Sequence, residues 1–470
     1  MWQKYFGAFR LEEALEVLAE HRERACIVAG GTDLVLEMKR ELHPDIEVLI
    51  DIARIPGLKD ISLGNDGNIH IGPLVTHNDC AASKLLREHA SPLAQACWTV
   101  GSPQIRNLGT IAGNLATASP ANDTISPMMA LGASLTLQSV SGKRVVPLAE
   151  FYTGVRKTVM QSDEMIVDIH FRPMAEDQTG VFIKNALRKA QAISVLNITI
   201  ILGLDKDTVT SSAITLGAVA PTIVHAEEAE SYLVGKKLEK VVITEAAGKA
   251  AEAAKPIDDV RGSARHRRRV VKGLMERGLT ALRDGQELTP LPDDPVLLKT
   301  PERMYAAENG GYWEGGPLEI EVNGKMLSFD AGHNKTLLHL LKEEAGLNSP
   351  KEGCGEGECG ACTVWMDGMA VMSCLVPAPR AHHAKVTTVE ALSDGDILHP
   401  LQQAFIEEGA VQCGYCTPGF LMSSAKLLEE KEHPTHDQVV QAITGNLCRC
   451  TGYYKIIRAI ERAAEEMNGK

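Results

Sequence analysis

The sequence predicts an α+β chain of several domains, and three observations carry that prediction. Its patterning changes character along the 470 residues: a glycine-punctuated strand, turn and helix, then long alternating strands with alanine-rich helical periods, then a hairpin, then helical periods again. A chain of that length exceeds what one hydrophobic core supports, so about three or four domains are expected. Eight of the eleven cysteines fall between Cys354 and Cys450, which sets the last third apart.

The elements follow in order. Leu11 to His21 places Leu11, Ala14, Leu15 and Leu18 at helical spacing. A strand then runs through Ile27 and Val28 into the turn Ala29-Gly30-Gly31-Thr32-Asp33, with a helix from about Leu34. That order presents backbone N–H groups to a phosphate, although without G-x-G-x-x-G spacing the same turn can be a turn and nothing more. Strands are expected at Glu47 to Ile52 and Asn68 to Ile71. Gly101 to Asp123 spreads glycines, hydroxyls and amides through a segment with too little apolar periodicity for a core element. It is expected to be a long loop, either on the surface or wrapped around a polar cofactor.

From about Arg172 the strands Val195 to Leu204 and Ser212 to Val219 precede helices at Glu227 to Leu233, Val242 to Ala254 and Ser263 to Leu282. The basic run Arg265 to Arg269 opens an amphipathic helix (Val270, Val271, Leu274, Met275), so it reads as a solvated or interface face rather than a nucleic-acid site. Residues 285–316, rich in proline, glycine and charge, are the expected linker. Leu318, Ile320 and Val322 alternate up to Asn323-Gly324, a strong hairpin signal. Thr336 caps a helix holding Leu337, Leu338, Leu340 and Leu341, and strands follow at Thr363 to Met366 and Met369 to Met372. From Leu401 the periods are helical: Phe420, Leu421, Ser424, Leu427 and Leu428 share one face, and Ile456, Ile457, Ile460 and Ala464 another. Four short helices are expected to carry the last cysteines.

Cys354, Cys359, Cys362 and Cys374 read C-x4-C-x2-C-x11-C, the plant-type [2Fe-2S] spacing. Gly353, Gly355, Gly357 and Gly360 let such a loop fold around a cluster. Zinc also accepts four thiolates, but the gap of glycine and glutamate suits the cluster better. Cys413, Cys416, Cys448 and Cys450 form C-x2-C and C-x-C within QCGYCTPG and NLCRCTG; spacing alone leaves zinc and an iron–sulfur cluster both open. Cys26, Cys80 and Cys97 read as ordinary buried thiols.

A net charge of −13 argues against nucleic acid or an anionic membrane as the main partner. No run of 18 apolar residues occurs, and the start has a helical pattern with acidic residues instead of a signal peptide's apolar centre. The expected location is cytoplasmic, with no membrane association.

The two quartets in this order closely resemble the iron–sulfur portion of the xanthine dehydrogenase (molybdenum hydroxylase) family. The GGTDL turn and the Thr110 to Asp123 stretch resemble that family's FAD subunit. The resemblance implies a vanillyl-alcohol-oxidase/PCMH-type FAD-binding domain at 1–172 and a small α+β flavoprotein C-terminal domain, as in CO dehydrogenase, at 173–284. Beyond the linker it implies a β-grasp plant-type ferredoxin domain at 317–393 and a four-helix [2Fe-2S] domain at 397–467. It further implies FAD and two [2Fe-2S] clusters ligated by the eight cysteines.

Carried over to this sequence, Ile27, Val28, Ala29, Gly30, Gly31, Thr32, Asp33 and Leu34 would hold the FAD pyrophosphate. Thr110, Ile111, Ala112, Gly113 and Asn114 would continue the phosphate and ribityl contacts, Asp123 would reach the adenosine side, and Lys184 would contact the flavin. Gln412 matches a glutamine that hydrogen-bonds a pterin; its other reading is a solvated polar residue. No catalytic residue is expected in this chain, because in the family a large molybdenum–pterin protein performs the hydroxylation, here expected as a separate subunit. Electrons would run from molybdenum to the helical-domain cluster, to the ferredoxin-like cluster, to FAD, and to NAD or another acceptor. A dimer of heterodimers is the expected assembly. Alternatives are a nicotinate, aldehyde or carbon monoxide partner, a stand-alone flavin–iron–sulfur reductase, and a zinc-bearing scaffold. The flavin part comes first here, which departs from the usual single-chain order.

Overall fold

A computed structural model describes residues 1–300, 311–313 and 316–469. They divide into two compact units, Met1–Pro56 with Gly101–Gly109 and Pro295–Lys470, and Gly57–Val100 with Thr110–Asp294.

In the first unit, Lys4–Gly7 and Ala25–Val28 both pair in parallel with Val48–Asp51. Helix Leu11–His21 covers this sheet through buried Ala14, Leu15 and Leu18, as its spacing predicts, and through Val17, which the spacing does not mark, while Leu11 is half-buried. Gly311–Trp313 adds a fourth, antiparallel strand beside Lys4–Gly7. This strand lies within the stretch read as linker, and Val296 and Leu298 of the same stretch are buried in the core of the helical cysteine segment. Residues 301–310 and 314–315 of that stretch lie outside the described residues.

The same unit holds a five-stranded mixed sheet in the order Lys325–Phe329, Leu318–Val322, Lys385–Thr387, Thr363–Met366, Met369–Met372. Its hairpin turns at Asn323 (φ 53°) and Gly324 (φ 77°), the two positive angles that a type I′ turn requires. Thr336 Oγ1 accepts from His339 N to start helix Leu337–Glu343, whose four leucines are all buried. Helices Pro400–Glu407, Thr417–Glu430, His436–Ala442 and Tyr454–Asn468 make the expected four. Phe420, Leu421 and Leu427 pack with Ile456 and Ile460 in their core.

In the second unit, Ile61–Leu63, Ile69–Ile71, Met165–Phe171, Ser134–Ser139 and Gly142–Pro147 form an antiparallel sheet in that order. A second sheet runs Gln178–Ala186, Ser194–Asp205, Thr208–Gly217 and the short Val224–His225, packed against helices Glu227–Leu233, Lys240–Ala253 and Ala264–Arg283.

The expected loop from Gly101 to Asp123 needs correction. It contains helices Pro103–Arg106 and Ile111–Thr117, and Ile111, Ala112 and Leu115 are core residues. These helices are too short to show a period. Ala118 ends the second one in a left-handed conformation at φ 51°.

Candidate functional site

Three cysteines of the first quartet, Cys354, Cys359 and Cys362, lie in the loop before strand Thr363–Met366, and Cys374 lies in the turn Ser373–Leu375 that follows strand Met369–Met372. Cys354 Sγ accepts from the backbone N–H of Glu356, Glu358 and Cys359 at 3.3, 3.2 and 3.3 Å. A hydrogen bond from the Cys359 thiol, reinforced by these amides, holds the Cys354 thiol down at about 5. Thiolate is the form that binds iron. Gly357 (φ 77°) and Gly360 (φ 68°) take conformations other residues rarely adopt, and a Cβ at Gly360 would run into the carbonyl of Gly445. Cys362 and Cys374 are buried and hydrogen-bonded to each other. Converging sulfurs with amide donors aimed at them fit an anionic iron–sulfur cluster.

The second quartet lies at the start of helix Thr417–Glu430 and ahead of helix Tyr454–Asn468. Cys413 and Cys450 sulfurs are 3.7 Å apart, and Cys416 hydrogen-bonds Cys448. Cys448 Sγ also accepts from the N–H groups of Cys450 and Thr451, both at 3.4 Å, and from the Thr451 hydroxyl at 3.2 Å. Although burial works against it, these donors bring the Cys448 thiol below its ordinary value. Cys413 and Cys450 are exposed, and so are Gln412, Val411, Tyr415, Leu447 and Tyr454 around them. The two quartets are tied together: Leu447 N donates to Cys359 O at 3.0 Å, Asn446 Nδ2 to Gly360 O at 3.2 Å, and Tyr415 Oη to Glu352 O at 2.7 Å.

The turn after Val28 belongs to the same unit. Gly31 has φ 78°, and a Cβ on Gly30 would collide with the Leu108 carbonyl, so backbone passes close to backbone here. Arg380, in the ferredoxin-like segment, donates to the carbonyls of Val28 and Gly30, both at 3.4 Å. Lys39, at the end of helix Leu34–Lys39, donates to Gly355 O at 3.0 Å in the cysteine loop. The strand-turn-helix of Ile27, Val28, Ala29, Gly30, Gly31, Thr32, Asp33 and Leu34 is therefore anchored to the first quartet's surroundings.

The remaining site candidates lie in the second unit. Thr110 caps helix Ile111–Thr117 by accepting from Gly113 N at 3.0 Å. Asn114 accepts from Asn122 and Thr124. Asp123 and Lys184, to which the sequence assigns separate contacts, are a buried ion pair at 2.6 Å. Ser194 also donates to Asp123 at 2.6 Å, and Lys184 donates to Thr99 O at 3.1 Å. Sequence reasoning missed Arg380 and Lys39 altogether, because their partners lie more than three hundred positions away and no local pattern marks them.

Residues 2–173 match the family described as FAD binding domain in molybdopterin dehydrogenase, and 182–282 the CO dehydrogenase flavoprotein C-terminal domain. Residues 320–392 match the 2Fe-2S iron-sulfur cluster binding domain, and 388–461 the [2Fe-2S] binding domain. The nicotinate dehydrogenase small FeS subunit of Eubacterium barkeri is 46% identical over 148 residues, which is 32% of this chain and 94% of the relative. The chain belongs to the molybdenum hydroxylase family. As a member of this family it is an oxidoreductase subunit that joins an FAD-binding part to two [2Fe-2S] parts. Its flavin part is 36% identical over 241 residues to the nicotinate dehydrogenase FAD-subunit of the same organism, covering 50% of this chain and 80% of the relative. A carbon monoxide dehydrogenase from Hydrogenophaga pseudoflava aligns with 30% identity and a TM-score of 0.58, over 60% of this chain and 98% of that one. Among the described residues no helix is long and apolar enough to cross a membrane.

Proposed function

We propose that this electron-transfer member of the molybdenum hydroxylase family serves a separate molybdenum–pterin subunit that hydroxylates a nitrogen heterocycle, of xanthine or nicotinate type, and delivers the electrons to NAD or another acceptor. The observation that carries the reading is the direct hydrogen bonding of one cysteine quartet's segment to the other's, Leu447 to Cys359 and Tyr415 to Glu352. When bound, the clusters carry single electrons and the flavin exchanges them for a pair.

In this reading Cys354, Cys359, Cys362 and Cys374 ligate one cluster, and Cys413, Cys416, Cys448 and Cys450 the other. Ile27 to Leu34, Thr110 to Asn114, Asp123 and Lys184 bind FAD, within domains at 1–172, 173–284, 317–393 and 397–467. Asp123, paired with Lys184, would accept a hydroxyl of the cofactor. Gln412 and the exposed Val411, Tyr415, Leu447 and Tyr454 beside the second quartet would face the pterin subunit, since aromatic and apolar surface around a redox centre suits a partner's covering. Two relatives from one organism, one matching each half of this chain, support a nitrogen heterocycle as the partner's substrate. The test is co-expression with a molybdenum subunit and anaerobic addition of xanthine, nicotinate, an aldehyde or carbon monoxide. Bleaching of flavin and cluster absorbance by a heterocycle is the expected result, and bleaching by carbon monoxide or an aldehyde alone overturns the substrate class.

A further inference from the structure

We propose a divalent transition-metal site on the outer face of the antiparallel sheet in the second unit, formed by His70, Asp168 and His170. Strands Ile69–Ile71 and Met165–Phe171 pair antiparallel with His70 directly opposite His170. Their neighbours Ile69, Ile71, Ile169 and Phe171 are buried in the core, so alternation turns His70, Asp168 and His170 to the other side of the sheet. One potential ligand atom from each lies within 4.8 Å of the other two. His70 Nδ1 and His170 Nδ1 both face Asp168 Oδ2, at 3.0 and 3.1 Å. Those separations are close to the edges of a coordination polyhedron with metal–nitrogen and metal–oxygen bonds of about 2.0–2.2 Å.

A second observation points the same way. His70 Nε2 faces the Asp66 carboxylate at 3.2 and 3.3 Å. Asp66 is itself held by the N–H and the side-chain amide of Asn68, at 3.0 and 2.7 Å. Asp66 and Asp168 thus face the two nitrogens of the His70 ring, one on each side. Carboxylate, imidazole and metal in line is the arrangement in which an outer carboxylate orients a ligating histidine. Gly64 keeps the space open, since a Cβ there would stand 2.8 Å from His70 Nε2 and 2.6 Å from Asp66 Oδ1. The three ligand side chains are 31%, 27% and 19% exposed, which leaves solvent access for water to complete the coordination. Two imidazoles and one carboxylate suit Zn2+, Ni2+ or Cu2+ over Mg2+ or Ca2+. None of these residues belongs to the cysteine quartets or to the flavin candidates. The ion would pin the two strands together.

The test uses the full chain loaded with FAD and clusters and kept oxidised. Calorimetric titration with Zn2+ is expected to give one equivalent more in the unaltered protein than in His170→Ala or His170→Gln. Cu2+ added to the unaltered protein should give an EPR signal split by two nitrogens, reduced to one in His170→Gln. Asp66→Asn, which leaves all three proposed ligands in place and alters only the carboxylate behind His70, should weaken Zn2+ binding about 10- to 100-fold while keeping the stoichiometry. Iron and flavin content identical across the variants shows that they fold. An equal Zn2+ stoichiometry in the unaltered protein and both His170 variants overturns the site, as does a Cu2+ signal that His170→Gln leaves unchanged.

Discussion

Arg380 and Asp51, 329 positions apart, form a buried two-pronged ion pair, Nε to Oδ2 at 2.7 Å and Nη2 to Oδ1 at 2.8 Å. Both side chains are 6% exposed, and the Tyr5 hydroxyl donates to the same carboxylate. The pair fastens the strand that ends at Asp51 to the segment just beyond Cys374. Arg380→Met should therefore destabilise the protein by roughly 3–5 kcal/mol, because it strands a buried carboxylate. Arg380→Lys should recover only part of that, since an ammonium cannot make the fork. Asp51→Leu combined with Arg380→Met should be milder than the sum of the single changes. Denaturant unfolding followed by tryptophan fluorescence measures all three.

Gly31→Val together with Asp123→Ala is expected to strip FAD while both clusters stay reducible. Gly31 sits at φ 78°, where a β-branched residue is strained, and its Cβ would lie 3.2 Å from the Leu375 carbonyl. Asp123→Ala leaves the Lys184 ammonium buried without its partner. Flavin absorbance and iron content of the purified double variant decide the matter; full flavin occupancy would refute the assignment.

Cys374→Ser and Cys450→Ser should each lower iron from about four to about two per chain, with one cluster signal surviving in each. A serine oxygen is a harder and poorer ligand for this iron than thiolate. In the complex, substrate should still reduce the surviving cluster in Cys374→Ser and should reduce none in Cys450→Ser. Rapid-freeze EPR distinguishes this from the reverse order of the clusters.

Stability in acid should carry a mark from Glu164. Its hydrogen bonds to Arg144, 2.6 Å at Nε and 2.8 Å at Nη2, hold its carboxyl below the usual range. Because the folded value is depressed, the stabilisation is present above the unfolded value of about 4.3 and is lost as pH falls through the lower folded value. Glu164→Gln should thus lower the melting temperature at neutral pH and flatten its decline below about pH 4.3. A melting curve series from pH 7 to 3 compares the two proteins.

What was legible in the sequence was local. Asn323-Gly324 specified its hairpin through two residues that tolerate positive φ, and the leucines after Thr336 specified a helix through spacing and a cap. The cysteine quartets stood out because C-x4-C-x2-C, C-x2-C and C-x-C are short-range patterns. The helices Pro103–Arg106 and Ile111–Thr117 were missed for the same reason: four and seven residues give too few turns to display a period. The strand Gly311–Trp313 was hidden in a segment whose composition suggested only a connection. Contacts such as Lys39 with Gly355 or Arg380 with Gly30 depend on chain segments meeting in space, and neither partner has a sequence neighbourhood that foretells it.

The pairing of Gly311–Trp313 with Lys4–Gly7 has a consequence for how a flavin part and an iron–sulfur part came to share one chain. An edge strand contributed by one polypeptide to another's sheet is a mode of subunit recognition in its own right. Two polypeptides, one carrying each part, would share this strand addition together with the Arg380–Asp51 and Lys39–Gly355 contacts. Joining them end to end replaces a concentration-dependent encounter with one whose effective concentration is set by the tether, in the millimolar range for short flexible ones. Such a joined pair would stay together on dilution where two separate chains would not.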